Sequence, residues 1–199
     1  MTDFVGYPKI ARYSREVIVT EKIDGTNACI FNGEDGEFLV GSRTRWITPE
    51  TDNFGFAKWA YENKSALMTL GKGRHFGEWW GNGIQRGYGL PKNDKRFSLF
   101  NVTRWCLHGQ TPERIPYQDP KIVKFQEILP PCVGLVPILW KGLFDNLLVF
   151  EVLETLKNNG SAASPGFGWP EGIVIFHLAG NVGFKKTIEK DAEPKSKVV

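Results

Sequence analysis

Residues 15–31 read REVIVTEKIDGTNACIF, and their pattern decides the fold class. Val17, Val19 and Glu21 alternate with Ile18, Thr20 and Lys22, and β-branched residues dominate, as in a strand whose side chains point to its two faces in turn. Asp24-Gly25 then reads as a tight turn and ACIF as the start of the next strand. Lys22 stands at the strand end, two residues before Asp24. It is either a solvated edge lysine or a nucleophile held in place, and the local pattern allows both.

Outward from this stretch, the same alternation predicts strands at 17–23, 28–32, 38–43, 74–80, 97–105, 172–177 and 181–187. A helix fits 51–70, with Thr51 or Asp52 as N-cap and Gly71 as the stop, and a second fits 143–160, ending at Gly160. The order is strands, helix, strands, a long irregular segment, helix, strands. That favours an α+β fold of mainly antiparallel sheets with flanking helices over a doubly wound parallel one. No domain boundary is visible: 1–190 reads as one domain and 191–199 as a tail.

Composition bounds the function classes. The chain has 199 residues, 41% hydrophobic and 24% charged, which suits one globular domain with a real core. A net charge of +3 neither demands nor repels nucleic acid. Apolar runs such as NLLVFEVL are broken by charge before membrane-spanning length, and MTDFVGYPKI has no apolar secretory core. A cytoplasmic location without a membrane partner is therefore expected. Cys29, Cys106 and Cys132 are odd in number and widely spaced, which suits a reducing compartment and core packing. His75, His108 and His177 lack metal-ligand spacing.

The side chains with chemical reach fall at strand ends. GSRTRWI carries Arg43 and Arg45, which alternation places on one face; guanidinium groups there suit phosphate, ribose or plain solvent. In RHFGEWWGNGIQRGYG, Glu78 precedes Trp79 and Trp80, so it is drawn inward and needs ligand hydroxyls, a metal or an internal cation as partner. RFSLFNV offers a phenylalanine for base stacking or for the core. WPEGIVIF sets Glu171 before an apolar strand, and VGFKKT sets Lys185 beside Lys186, of which only one can face a given site. Arg86, Lys92, Lys95 and Arg96 read as a solvated charged loop in preference to a phosphate track. One lysine, two carboxylates, an arginine and a lysine pair are what covalent nucleotidyl transfer requires. An amine attacks an α-phosphate, cations neutralise the developing charge, and carboxylates hold ribose or a divalent metal. There is no P-loop and no kinase-type glycine loop.

In order, EKIDGTN, GSRTR, FGEWWGNGIQRGYG, FSLFNV, PEGIVIF and GFKKT resemble nucleotidyltransferase motifs I, Ia, III, IIIa, IV and V of the polynucleotide ligase and capping-enzyme superfamily. The wording is closest to the phage T4 RNA ligase 2-like branch, and the resemblance covers roughly residues 7–190. It implies an ATP-dependent RNA ligase core working through a lysyl-AMP, with Mg²⁺ or Mn²⁺. It further implies transfer of AMP to a 5′-phosphate of RNA or DNA and attack by a 3′-hydroxyl.

By the resemblance, Lys22 is the lysine that takes AMP; Glu21 and Ile23 border the adenine; Asn27 lies near the phosphates; Arg43 contacts ribose or the 5′-phosphate. Glu78 receives the ribose hydroxyls, Phe100 stacks on adenine, Glu171 supports the metal, and Lys185 or Lys186 touches the α-phosphate. The family pattern usually spaces those two lysines by one residue, and it often has an acidic residue where Asn101 stands. It also implies a catalytic core alone, with no OB-fold, so that a separate nucleic-acid-binding protein could supply the missing grip. DNA sealing, another adenylyl acceptor, and a binding module without transfer are the competing readings.

Overall fold

The computed structural model describes residues 2–105 and 129–191. Its strands fall in two sheets. β1 (Glu16–Lys22), β8 (Ile138–Leu143), β9 (Gly172–His177) and β10 (Val182–Thr187) form one, in the order β10-β9-β1-β8. The other contains β2 (Thr26–Asn32), β3 (Phe38–Gly41), β4 (Trp46–Ile47), β5 (Gly73–Gly81), β6 (Lys95–Leu99) and β7 (Val133–Leu135), in the order β4-β3-β2-β5-β6-β7. Every pairing is antiparallel except β6 with β7. The fold is α+β with mostly antiparallel sheets, as the element order predicts.

Three apolar clusters explain the layering. Ala28, Ile30, Val40, Trp79, Phe97 and Leu99 cover one face of the six-stranded sheet and pack on α1 (Phe56–Glu62) and α2 (Lys64–Met68) through Phe56, Ala57, Ala60 and Leu67. Val17, Val19, Ile173 and Ile175 do the same for the four-stranded sheet against Val149, Leu153 and Leu156 of α4 (Asn146–Asn159). Ile18, Ile23, Trp80, Tyr88, Val102 and Val136 join the two inner faces. Each large apolar side chain buried in this way contributes about 1.5–3 kcal/mol. Among the described residues, no helix is long and apolar enough to cross a membrane.

The Asp24-Gly25 turn leads into the next strand as expected, and it carries the chain from one sheet to the other. It passes so close to β5 that a Cβ on Gly25 would strike the Trp79 carbonyl oxygen and Trp80 Cβ. The helix expected over 51–70 begins only at Phe56, because Phe54 and Gly55 take positive φ values of 55° and 82°, and it breaks at Asn63. Its N-cap is Gly55 and not Thr51 or Asp52, although the Asp52 carboxylate reaches forward to accept the Ala57 and Lys58 N–H groups at 2.7 and 3.0 Å.

The strand expected over 97–105 ends at Leu99, where Asn101 Oδ1 accepts the Arg104 N–H and starts α3 (Val102–Trp105). The strand expected over 38–43 ends at Gly41, leaving Arg43 and Arg45 exposed in a turn. Finally, the long irregular segment holds β7 and β8, whose short, half-buried patterns carry little alternation. α4 stops at Gly160 as expected but starts at Asn146 instead of 143, where the Asp145 side chain accepts the Leu147 N–H.

Candidate active site

Alternation along β1 sends Val17, Val19 and Glu21 toward α4, and Ile18, Thr20 and Lys22 into the cleft between the sheets. Lys22 ends β1 opposite Gly172, the first residue of β9, so the preceding Glu171 arrives beside it. Lys22 Nζ donates to Glu171 Oε2 at 2.5 Å, with both groups largely sheltered from solvent.

Glu78 enters the same cleft from β5. Its carboxylate accepts the Gly25 N–H at 3.0 Å and the Asn27 side-chain amide at 3.2 Å, so it is tied to the turn that follows Lys22. Burial pushes its pKa up to about 7. The Lys22 ammonium and the two hydrogen bonds resist that rise, while Glu171 adds to it. Lys22, Glu78 and Glu171 thus share one electrostatic site, with Trp80 buried and Phe76 exposed on the neighbouring stretch of β5.

A buried network fixes the segment on both sides of Lys22. The Glu21 carboxylate accepts from Ser161 Oγ, Ala162 N and Ala163 N at 2.6, 2.7 and 2.8 Å. Its pKa is raised by burial, against the pull of those donors. From the same loop Ser164 Oγ donates to the Tyr88 carbonyl, and the Tyr88 hydroxyl accepts the Asp24 N–H at 2.8 Å. Arg86 completes the frame. Its Nε donates to Asp24 Oδ2 at 3.1 Å, its Nη1 to the Trp169 carbonyl at 3.1 Å, and its Nη2 lies 3.8 Å from Glu189. One guanidinium therefore ties together the segments that carry Lys22, Glu171 and the end of β10.

Register separates the two adjacent lysines. Lys185 pairs with Val174, which pairs with Thr20, and so shares the cleft face with Lys22. Lys186 falls on the other face, its Nζ 4.9 Å from the Phe150 ring centroid and 3.1 Å from Asp191 Oδ2. Phe100 follows β6 directly, its N–H bonded to the Phe76 carbonyl and its ring partly open to solvent. Asn27 is beside Glu78. Arg43 lies in the exposed turn after β3, and no described contact ties it to Lys22. The Ile23 side chain packs with Ile18 and Trp80 in the inter-sheet cluster, whereas the Glu21 carboxylate is taken up by the 161–163 loop and does not face the cleft.

This geometry is accompanied by a family match. The RNA ligase family model matches residues 15–188. The chain belongs to the RNA ligase family. No curated protein matches it. Solved structures of mutant Naegleria gruberi RNA ligase are similar in fold. An apo form aligns with a TM-score of 0.57 at 22% identity, over 87% of this chain and 50% of that one. A form with ATP and Mn aligns at 0.56 and 22%, over 88% and 50%. A further form with ATP and Mn aligns at 0.59 and 20%, over 88% and 50%. The chain spans about half the length of the solved RNA ligases it matches.

For an RNA ligase family member, the donor set suits a metal that arrives with its substrate. Among the described residues, no group of three or more His, Cys, Asp or Glu side chains could cage an ion. Glu171 and Glu78 present two carboxylates to one cleft, which fits a hard divalent cation completed by water and nucleotide phosphates. His75 is not involved: it is buried, 2.9 Å from the Gly71 carbonyl, and burial lowers its pKa. His108 and Cys106 lie outside the described residues.

Arg86, Tyr88 and Ser161 are the residues that pattern reading does not pick out. Arg86 reads as one of a charged run, yet it turns inward. Lys95 instead bonds the Phe54 carbonyl and Arg96 pairs with Asp94, so the run forms no common patch. The available signal was the density of glycine and aromatic residues around Arg86, which marks a loop pressed against the core.

Proposed function

We propose that this chain is an ATP-dependent RNA ligase that joins ends through a lysyl-AMP on Lys22. The observation that carries this reading is Lys22 held against Glu171 in a cleft walled on its far side by Glu78. Lys22 Nζ, having lost a proton to Glu171, attacks the α-phosphorus of ATP; a P–N bond forms and the bond to pyrophosphate breaks. The RNA 5′-phosphate oxygen then attacks the same phosphorus, taking AMP and freeing Lys22. A 3′-hydroxyl attacks the 5′-phosphate, closes the strand and expels AMP.

Glu78 receives the ribose hydroxyls, Phe100 stacks on adenine, and Lys185 neutralises charge on the α-phosphate. Asn27 and Arg43 serve the phosphates and the incoming end. A divalent cation, held in part by Glu171, would supply further neutralisation on the phosphates. ATP and Mn in the similar Naegleria structures support this choice of cofactors. Most of the rate comes from positioning and fixed charge, as in other phosphoryl transfers. The test is incubation of 5′-phosphorylated RNA carrying a 3′-hydroxyl with the protein, ATP and Mg²⁺. Joined or circular product from the wild type and none from Lys22→Ala is expected; no RNA product from the wild type would overturn the RNA ligase assignment.

A further inference from the structure

The cleft face of the six-stranded sheet continues past Glu78 into a surface that lysyl-AMP chemistry does not use. On β5, Phe76 and Arg74 share the face of Glu78. Register sets Cys29 opposite Phe76 and Phe31 opposite Arg74, with Gly41 and then Trp46 continuing the Cys29 row. The Arg74 guanidinium lies over both the Phe31 and Trp46 rings, 4.9 and 5.9 Å from their centroids. Gly41 lets the indole lie down on the sheet, since its own Cβ would meet Trp46 at 3.1 Å. The Phe76 and Trp46 side chains nevertheless stay 53% and 46% exposed.

Charge on this surface is unspent. Among the described residues, Arg74, and Arg43 and Arg45 in the adjoining turn, meet no carboxylate. A guanidinium stacked on two rings has lost most of its freedom while keeping N–H groups for a phosphate. Open aromatic rings beside it are what unpaired bases stack on. The far end is closed by the acidic turn of Glu34, Asp35 and Glu37, which repels a polyanion. From Glu78 to Arg74 is four residues of strand, about 14 Å, so the surface is short.

We propose that Phe76, Trp46 and Arg74 form a track for a single-stranded polynucleotide, holding the nucleotides next to the reacting end. Bases stack on Phe76 and Trp46, and Arg74 takes a phosphate. The track rests on the ligase reading above for its placement beside the reacting end. Continuity with the Glu78 face and the pairing of aromatic with cationic groups favour nucleic acid over an acidic peptide.

The experiment uses the full chain and a short fluorescent single-stranded RNA, with Arg74→Glu and Trp46→Ala beside the wild type. Binding is followed by anisotropy over a range of salt, and lysyl-AMP formation from α-labelled ATP is followed separately. Loss of one stacking contact weakens binding on the order of tenfold, so Trp46→Ala is expected to bind RNA about that much more weakly. Arg74→Glu is expected to do the same and to flatten the salt dependence. Both variants should form lysyl-AMP at the wild-type rate, which also shows that they fold. Unchanged RNA affinity in both variants overturns the track, as does equal competition by a poly-glutamate peptide. Absence of lysyl-AMP in the wild type would instead remove the ligase reading, and the anisotropy arm would still decide the track.

Discussion

Lys22 and Glu171 lie 149 residues apart in sequence, yet their side chains meet at 2.5 Å because β1 and β9 pair with Lys22 opposite Gly172. The contact balances the lysine charge at rest, and in the proposed reaction it gives that proton a place to go when the amine attacks. Glu171→Gln keeps the shape and removes that acceptor. A misplaced or missing proton acceptor costs about 10²–10⁴-fold, so lysyl-AMP formation at saturating ATP should fall by at least a hundredfold, read by single-turnover labelling.

Glu78 links the site to stability. Its pKa rises from 4.5 to about 7 on folding, chiefly through burial, so the folded chain holds this proton more tightly than the unfolded one. The contribution is complete below the unfolded value and is lost as pH rises through the folded value. Denaturant titrations between pH 4.5 and 7 should therefore show the wild type losing roughly 3 kcal/mol relative to Glu78→Gln. Parallel pH profiles for the two proteins would contradict this.

The two adjacent lysines should separate in kinetics. Lys185 shares a face with Lys22, whereas Lys186 is occupied by Phe150 and Asp191 on the other side of the sheet. Lys185→Ala should slow adenylylation about tenfold or more, as expected when a cation facing the transferring phosphate is removed. Lys186→Ala should leave its rate within about twofold and instead lower the melting temperature slightly.

In the proposed function Arg86 serves as a positioning residue, acting through Asp24 and the Trp169 carbonyl. Arg86→Ala should lower the rate of lysyl-AMP formation on the order of tenfold while leaving the KM for ATP nearly unchanged, as when a reacting group is merely misaligned. Added guanidinium at millimolar concentration should restore part of the rate. A pure loss of ATP affinity would place Arg86 in nucleotide binding instead.

Lys22, Glu78, Glu171 and Lys185 were legible as candidates because nucleotidyl transfer demands particular side chains at strand ends, and each stands at or near one. Their convergence was not, because it depends on pairing between β1, β9 and β10 and on the crossing of Gly25 over β5. Alternation assigns Lys185 and Lys186 to opposite faces; only the register through Val174 and Thr20 says which face is the cleft. The Asp24-Gly25 turn is silent on sheet membership for a related reason: a tight turn looks the same whether the next strand pairs with the last or joins another sheet. Asn101 and Arg86 were misread because a helix cap and an inward-turned arginine have the composition of ordinary surface loops.

The central claim is that Lys22 becomes covalently joined to AMP. The most direct measurement is incubation of the purified chain with Mg²⁺ and ATP labelled at the α-phosphate, followed by denaturation, proteolysis and mapping of the labelled peptide. Label is expected on the peptide containing Lys22, and none on Lys22→Ala. Label on another lysine, or a wild-type chain that is shown to be free of AMP and still takes up none, would contradict that claim.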